Sequence, residues 1–150
     1  MALFESPLLN VVLIAAFVVA SWLLIGPIVG WVGGWASLAR DYRFSNHFDG
    51  KRWRFESARM RRMMGYNNCL TIGANEQGLY LSILFLFRSG HPPLFIPWRD
   101  ISARRKKFLW IKTAELRLGR ETPIPFRIRE NLADRLKDAA GESWPAELAA

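Results

Sequence analysis

The sequence predicts an α+β protein: one N-terminal transmembrane helix, then a small antiparallel β-sandwich or barrel capped by a C-terminal helix. Three observations predict it. Residues 6–39 carry no charged side chain. All 21 Lys and Arg residues lie at or beyond Arg40. Past residue 50 the apolar positions recur at period two, the strand signature, until a helical spacing takes over at residue 130.

The helix comes first. The uncharged run holds Leu8, Val11, Val12, Ile14, Phe17, Val18, Leu23, Leu24 and Ile25, and a spanning helix needs ~20 such residues. A cleaved signal peptide fits badly, because the segment before the run has no Lys or Arg, carries Glu5, and the run is too long. Arg40, Arg43, Lys51, Arg52 and Arg54 follow the run closely. The positive-inside rule therefore puts the N-terminus outside and the rest in the cytoplasm, at the inner membrane. Trp22, Trp31 and Trp35 suit interfacial belts, and Cys69 suits a reducing compartment. Residues 8–36 as one helix would measure ~43 Å against ~30 Å of hydrocarbon. The expected division is a core span over 8–29 with 31–38 at the headgroups. This makes 1–39 the anchor with its interfacial extension, 40–51 a linker, 52–141 the cytoplasmic domain and 142–150 a tail.

Gly26, Gly30 and Gly34 fall at i, i+4 and i+8. They form a stripe on which a second helix can approach, from a homodimer or another membrane protein. Glycines gathering at a membrane exit is the alternative.

Strands are expected over 52–63, 66–72, 79–87 and 94–98, divided by Gly73–Gly78 and by Ser89-Gly90-His91-Pro92-Pro93, both turn-forming. Leu79, Leu81, Ile83, Phe85 and Phe87 share a face, and Leu84 and Leu86 make the far end apolar on both faces. That end is expected to be buried or to contact the membrane or a partner, with Leu84, Leu86 and Phe87 as contact candidates. The spacing predicts a hairpin of 108–118 with a strand through Ile124, Phe126 and Ile128. Pro123 and Pro125 place that strand at an edge. Leu132, Leu136, Ala139 and Ala140 line one face of a closing helix, stopped by Gly141.

Leu70-Thr71-Ile72-Gly73, Gly78-Leu79-Tyr80-Leu81 and Ile96-Pro97-Trp98-Arg99-Asp100-Ile101, with the closing helix, resemble bacterial membrane-anchored PH-like domains of the GRAM-related kind. The likeness covers about residues 52–140. It implies a seven-stranded barrel-like sandwich capped by the helix, a fold used to bind lipids or proteins, and no catalytic residue.

Composition narrows the function. The chain has 150 residues, 51% hydrophobic, with a formal net charge of +8. One domain plus an attachment is the most this length comfortably holds. With one cysteine and two histidines, a disulfide framework and a multi-cysteine metal site are excluded. His47, His91 and Cys69 lack ligand spacing. No phosphate loop, nucleophile elbow or paired carboxylates appear, so neither enzyme activity nor a cofactor is expected. Cys69 reads as a structural thiol, Trp98 as core and Asp100 as a turn cap.

The basic groups are the binding candidates. Arg104, Arg105, Lys106 and Lys107 read as a loop between two strands, and Arg59, Arg61 and Arg62 as a second group. Held under an anionic leaflet, each such cation is worth ~1 kcal/mol. Topogenic or solubilising charge is the alternative; a nucleic-acid partner is not expected. The expectation is a non-catalytic membrane-anchored scaffold that contacts lipid headgroups or a protein, or else an accessory subunit of a larger membrane complex.

Overall fold

The structure, a computed structural model, describes residues 6–61, 64–85, 88 and 90–148. Helix α1 (Pro7–Gly33) starts with a proline, whose missing N–H is no loss at that position, and runs 27 residues through Pro27. Before Gly26 its large apolar side chains are mostly exposed, Phe17 at 73% and Leu24 at 69%, whereas Gly30 and Gly33 near its end are buried. It is long and apolar enough to cross a membrane. The helix stops at Gly34, whose φ of +90° is open to glycine and whose N–H bonds the Trp31 carbonyl.

Helix α2 (Trp35–Tyr42) begins at once. Trp35 and Leu38 are buried, and the Trp35 indole N–H donates to the Pro92 carbonyl at 2.8 Å. The Tyr42 hydroxyl donates to Asp100 at 3.0 Å. Phe44 and Phe48 then pack on Tyr80 and Phe95. Residues 35–48, divided by the sequence reading between interface and linker, thus lie against the β domain.

That domain is one curled half-barrel sheet. Its described strands are β1 (Lys51–Met60), β2 (Met64–Ala74), β3 (Gly78–Ile83), β4 (Leu94–Pro97), β5 (Ile101–Phe108), β6 (Ile111–Leu118), β7 (Ile124–Arg129) and β8 (Glu147–Leu148). Their order is β4-β3-β2-β1-β7-β6-β5-β8. Two antiparallel meanders, β1–β4 and β5–β7, join where β1 meets β7 at Arg59↔Arg127 and Met60↔Phe126. β1 bends through two register shifts around Glu56, with Phe55 at φ +57°. The inward alternation of Leu70, Ile72, Leu79, Leu81, Leu116, Leu118, Phe126 and Ile128 builds the core. Helix α3 (Glu130–Ala140) closes it with Leu132, Ala133, Leu136 and Ala140.

Three expectations change. Residues 104–107 belong to strand β5, not to a loop. Ile101 and Ala103 point inward, and the cations that follow continue the same pleat. The β3 strand ends at Ile83 rather than at residue 87. Finally, β7 lies inside the sheet and not at its edge. An antiparallel residue points its N–H and C=O the same way. The Pro125 carbonyl accepts from the Arg61 N–H at 2.8 Å, just past the end of β1. The donor that Pro125 lacks therefore faces the end of the β1–β7 ladder, whose last pair among the described residues is Met60↔Phe126.

Candidate functional site

The glycine stripe lies at the junction of α1 and the domain. A Cβ on Gly30 would lie 2.4 Å from the Gly90 carbonyl oxygen, and one on Gly34 2.7 Å from Ile124 Cδ1. Gly33, between them, faces Met64 and Tyr66. The stripe thus lets the chain's own turn at Gly90 and its own sheet approach the helix. Gly26 lines an apolar cleft of about 300 Å³ with Trp22, Ile25, Val29, Tyr66, Cys69, Ile83 and His91. In its wall the Tyr66 hydroxyl lies 3.1 Å from His91 Nε2. Burial pushes the Tyr66 phenol far above its ordinary range and raises the Cys69 thiol.

Period two decides what the cations do. Ala58 and Met60 of β1, Ala114 and Leu116 of β6, and Phe126 and Ile128 of β7 face the core. Their neighbours Arg59, Glu115, Arg117 and Arg127 therefore share the outer face. With Arg61, Lys106 and Pro125 they line a cleft of about 480 Å³. Five cations surround it, and Glu115 is the one carboxylate among the described lining residues. Lys106 Nζ lies 2.8 Å from Glu115 Oε2. Burial alone would raise the Glu115 carboxyl, but the Lys106 hydrogen bond and charge, with Arg117 and Arg127, hold it below its ordinary value. The cleft reaches α1 directly: Arg61 Nη1 donates to the Val32 carbonyl at 2.9 Å. A guanidinium there also answers the negative end of the helix dipole.

The expected cluster of four cations is divided by the same pleat. Arg104, register partner of Glu115, shares the outer face with Lys106. Arg105 faces the helix side, where it pairs with Asp134 at 3.0 Å and Glu147 at 3.0 Å. Lys107 is exposed on that same side, next to Lys112 in register. Arg62, Leu86 and Phe87 lie outside the described residues, and Leu84 is half-buried.

A second cleft, of about 280 Å³, is lined by Arg52, Arg54 and Arg88 together with Phe55, Tyr80, Leu84 and Phe85. No carboxylate lines it among the described residues. It meets the apolar cleft at Cys69 and Ile83, which line both. Sequence reading missed it, because residues 52–54 and 88 come together through the β1-β2-β3 pairing alone.

Trp98 is buried, its indole N–H bonded to the Asn75 carbonyl at 2.7 Å. Asp100 accepts from Tyr42 and lies 3.1 Å from Arg120 Nε, tying α2 to the β6–β7 turn. Among the described residues no three His, Cys, Asp or Glu side chains gather into a metal site. Comparison of the chain with protein-family models, curated proteins and solved structures finds no match.

Proposed function

We propose that this chain is a single-span membrane protein whose cytoplasmic, PH-like domain binds anionic lipid headgroups through its basic outer face and performs no chemistry. The carrying observation is the continuity of that face with the anchor. Arg59, Lys106, Arg117 and Arg127 line one cleft with Arg61, and Arg61 bonds the last turn of α1. Cations held within a Debye length (about 8 Å) of an anionic leaflet contribute ~1 kcal/mol each. The N-outside orientation follows from the charge asymmetry about the span. The four-strand and three-strand meanders closed by α3 support the PH-like resemblance.

The test uses the full chain, purified in mild detergent and examined by native mass spectrometry with phosphatidylglycerol or phosphatidylcholine added. Phosphatidylglycerol is expected to be retained preferentially. The triple variant Arg59→Gln, Arg117→Gln, Arg127→Gln is expected to lose about tenfold or more of that preference, at ~1 kcal/mol per cation. An unchanged preference overturns the reading.

A second reading, an accessory subunit of a larger membrane assembly, draws on the β5–β6 hairpin tip. Leu109 is 64% exposed and Trp110 82%. The tip points away from Gly34, at the other end of β6 from the β6–β7 turn. A stoichiometric protein co-purifying with the full chain, lost on Trp110→Ser, supports it.

A further inference from the structure

The apolar cleft beside α1 fixes how close the domain comes to the bilayer. If α1 spans the membrane, ~30 Å of hydrocarbon covers ~20 of its residues. Glu5 limits how early that stretch begins. Counted from Ser6, the hydrocarbon reaches at least to about Ile25. Tilting the helix places still more of it inside. Trp22, Ile25 and Gly26 form one wall of the cleft, and Ile83, Cys69 and Tyr66 belong to the other. Trp22 lies ~16 Å along the helix from Gly33. The end of β3 therefore stands beside helix that lies within the membrane.

What stands there suits that depth. Ile83 leads into Leu84 and Phe85, and Phe85 is 76% exposed. Three backbone N–H groups among the described residues of this segment are paired within the chain. The Leu84 N–H bonds the Cys69 carbonyl, Arg88 N–H the Phe85 carbonyl and His91 N–H the Arg88 carbonyl. An irregular segment enters an apolar medium only when its polar groups are paired in this way. Arg52, Arg54 and Arg88 line one cleft with Leu84 and Phe85. Arg88 is exposed, its Nε 3.4 Å from the Ile83 carbonyl, so its head can reach the interface while its stem covers apolar surface. This charge pattern complements an anionic leaflet.

We infer that the corner at the end of β3, where exposed Phe85 follows half-buried Leu84, inserts into the cytoplasmic leaflet beside α1, as a second and monotopic membrane contact. The inference rests on α1 as a span, and not on headgroup binding by the outer face. With Phe85 in the acyl boundary, the domain is seated on the bilayer rather than suspended below it.

Spin labels on the full chain in phosphatidylglycerol and phosphatidylcholine nanodiscs test this. In a Cys69→Ser background, Phe85→Cys, Leu13→Cys and Gln77→Cys are each labelled with a nitroxide. Their collisions with oxygen and with a water-soluble nickel chelate are compared. The expected result is a lipid-like ratio at 13 and 85 and an aqueous ratio at 77. A lipid-like ratio at 13 with an aqueous one at 85 overturns the inference and leaves the span intact. An aqueous ratio at both overturns the span and the inference with it. Should the Cys69→Ser chain fail to fold, benzoylphenylalanine at position 85 of the native chain gives the same answer. A lipid-mass adduct on irradiation supports insertion; its absence, with position 13 forming one, refutes it.

Discussion

The Tyr66 hydroxyl and Nε2 of His91 sit 3.1 Å apart in the interior, joining β2 to the turn that carries Gly90. The Trp35 ring packs against both, with centroids 5.8 Å from Tyr66 and 5.3 Å from His91. Since Trp35 belongs to α2 and Gly90 abuts Pro27 of α1, this aromatic trio is where both helices are fastened to the sheet. Removing the hydroxyl leaves the buried imidazole short of that partner. Tyr66→Phe is expected to cost about 1–3 kcal/mol, read as a lower urea midpoint of the full chain in detergent. An unchanged midpoint would show that the bond contributes nothing net.

Two glycine substitutions should behave oppositely. A Cβ on Gly30 meets the backbone of Gly90, while one on Gly65 meets nothing within 4 Å. Gly30→Ala is expected to loosen the junction and speed proteolysis between α1 and the sheet. Gly65→Ala, in β2, should be neutral or stabilising by about 0.5–1 kcal/mol, through the entropy of the unfolded chain. Equal protease sensitivity in the two variants would contradict the packing described.

Glu115 supplies a pH dependence. Its carboxyl, held low by Lys106 against the opposing effect of burial, binds a proton less readily folded than unfolded. The stabilisation is therefore complete above the unfolded value of about 4.3 and is lost as pH falls through the folded value. Lys106→Gln is expected to narrow its deficit against the native chain between neutral pH and about pH 3. Urea midpoints at the two pH values check this; a deficit that stays constant would exclude the pair as its source.

Leu109 occupies the two-residue hairpin loop at φ +56°, a conformation that costs a branched side chain roughly 1 kcal/mol. Leu109→Gly is expected to raise the thermal midpoint by relieving it, although an exposed apolar side chain is lost. A lowered midpoint would mean that the leucine side chain contributes packing that outweighs the backbone strain.

Helices α1 and α3 and the inward alternation were legible because each rests on a local composition or period, whereas α2 was divided between an interfacial extension and a linker. Leu132 and Leu136 mark α3, and Leu79, Leu81 and Ile83 mark β3, whatever surrounds them. Strand β5 was not legible, since four consecutive cations hide a pleat that shows in Ile101 and Ala103 alone. The Pro125 signal misled for a different reason: a missing donor argues for an edge only when a neighbour continues past it. As for the binding candidates, a linear reading counts Arg104–Lys107 as one cluster. Its division between two faces, and the meeting of Arg59, Arg117 and Arg127 on one of them, depend on strand register. No spacing in the chain encodes that register.

The immediate restart at Gly34 has a mechanical result. With Trp35 bonded to Pro92 and Tyr42 to Asp100, no swivel separates α1 from the sheet. Helix and sheet turn together like a rudder on its post. With α1 spanning a bilayer as proposed, a thinner bilayer, by leaning the post, would swing the arginine-lined side of the sheet toward or away from the lipid surface.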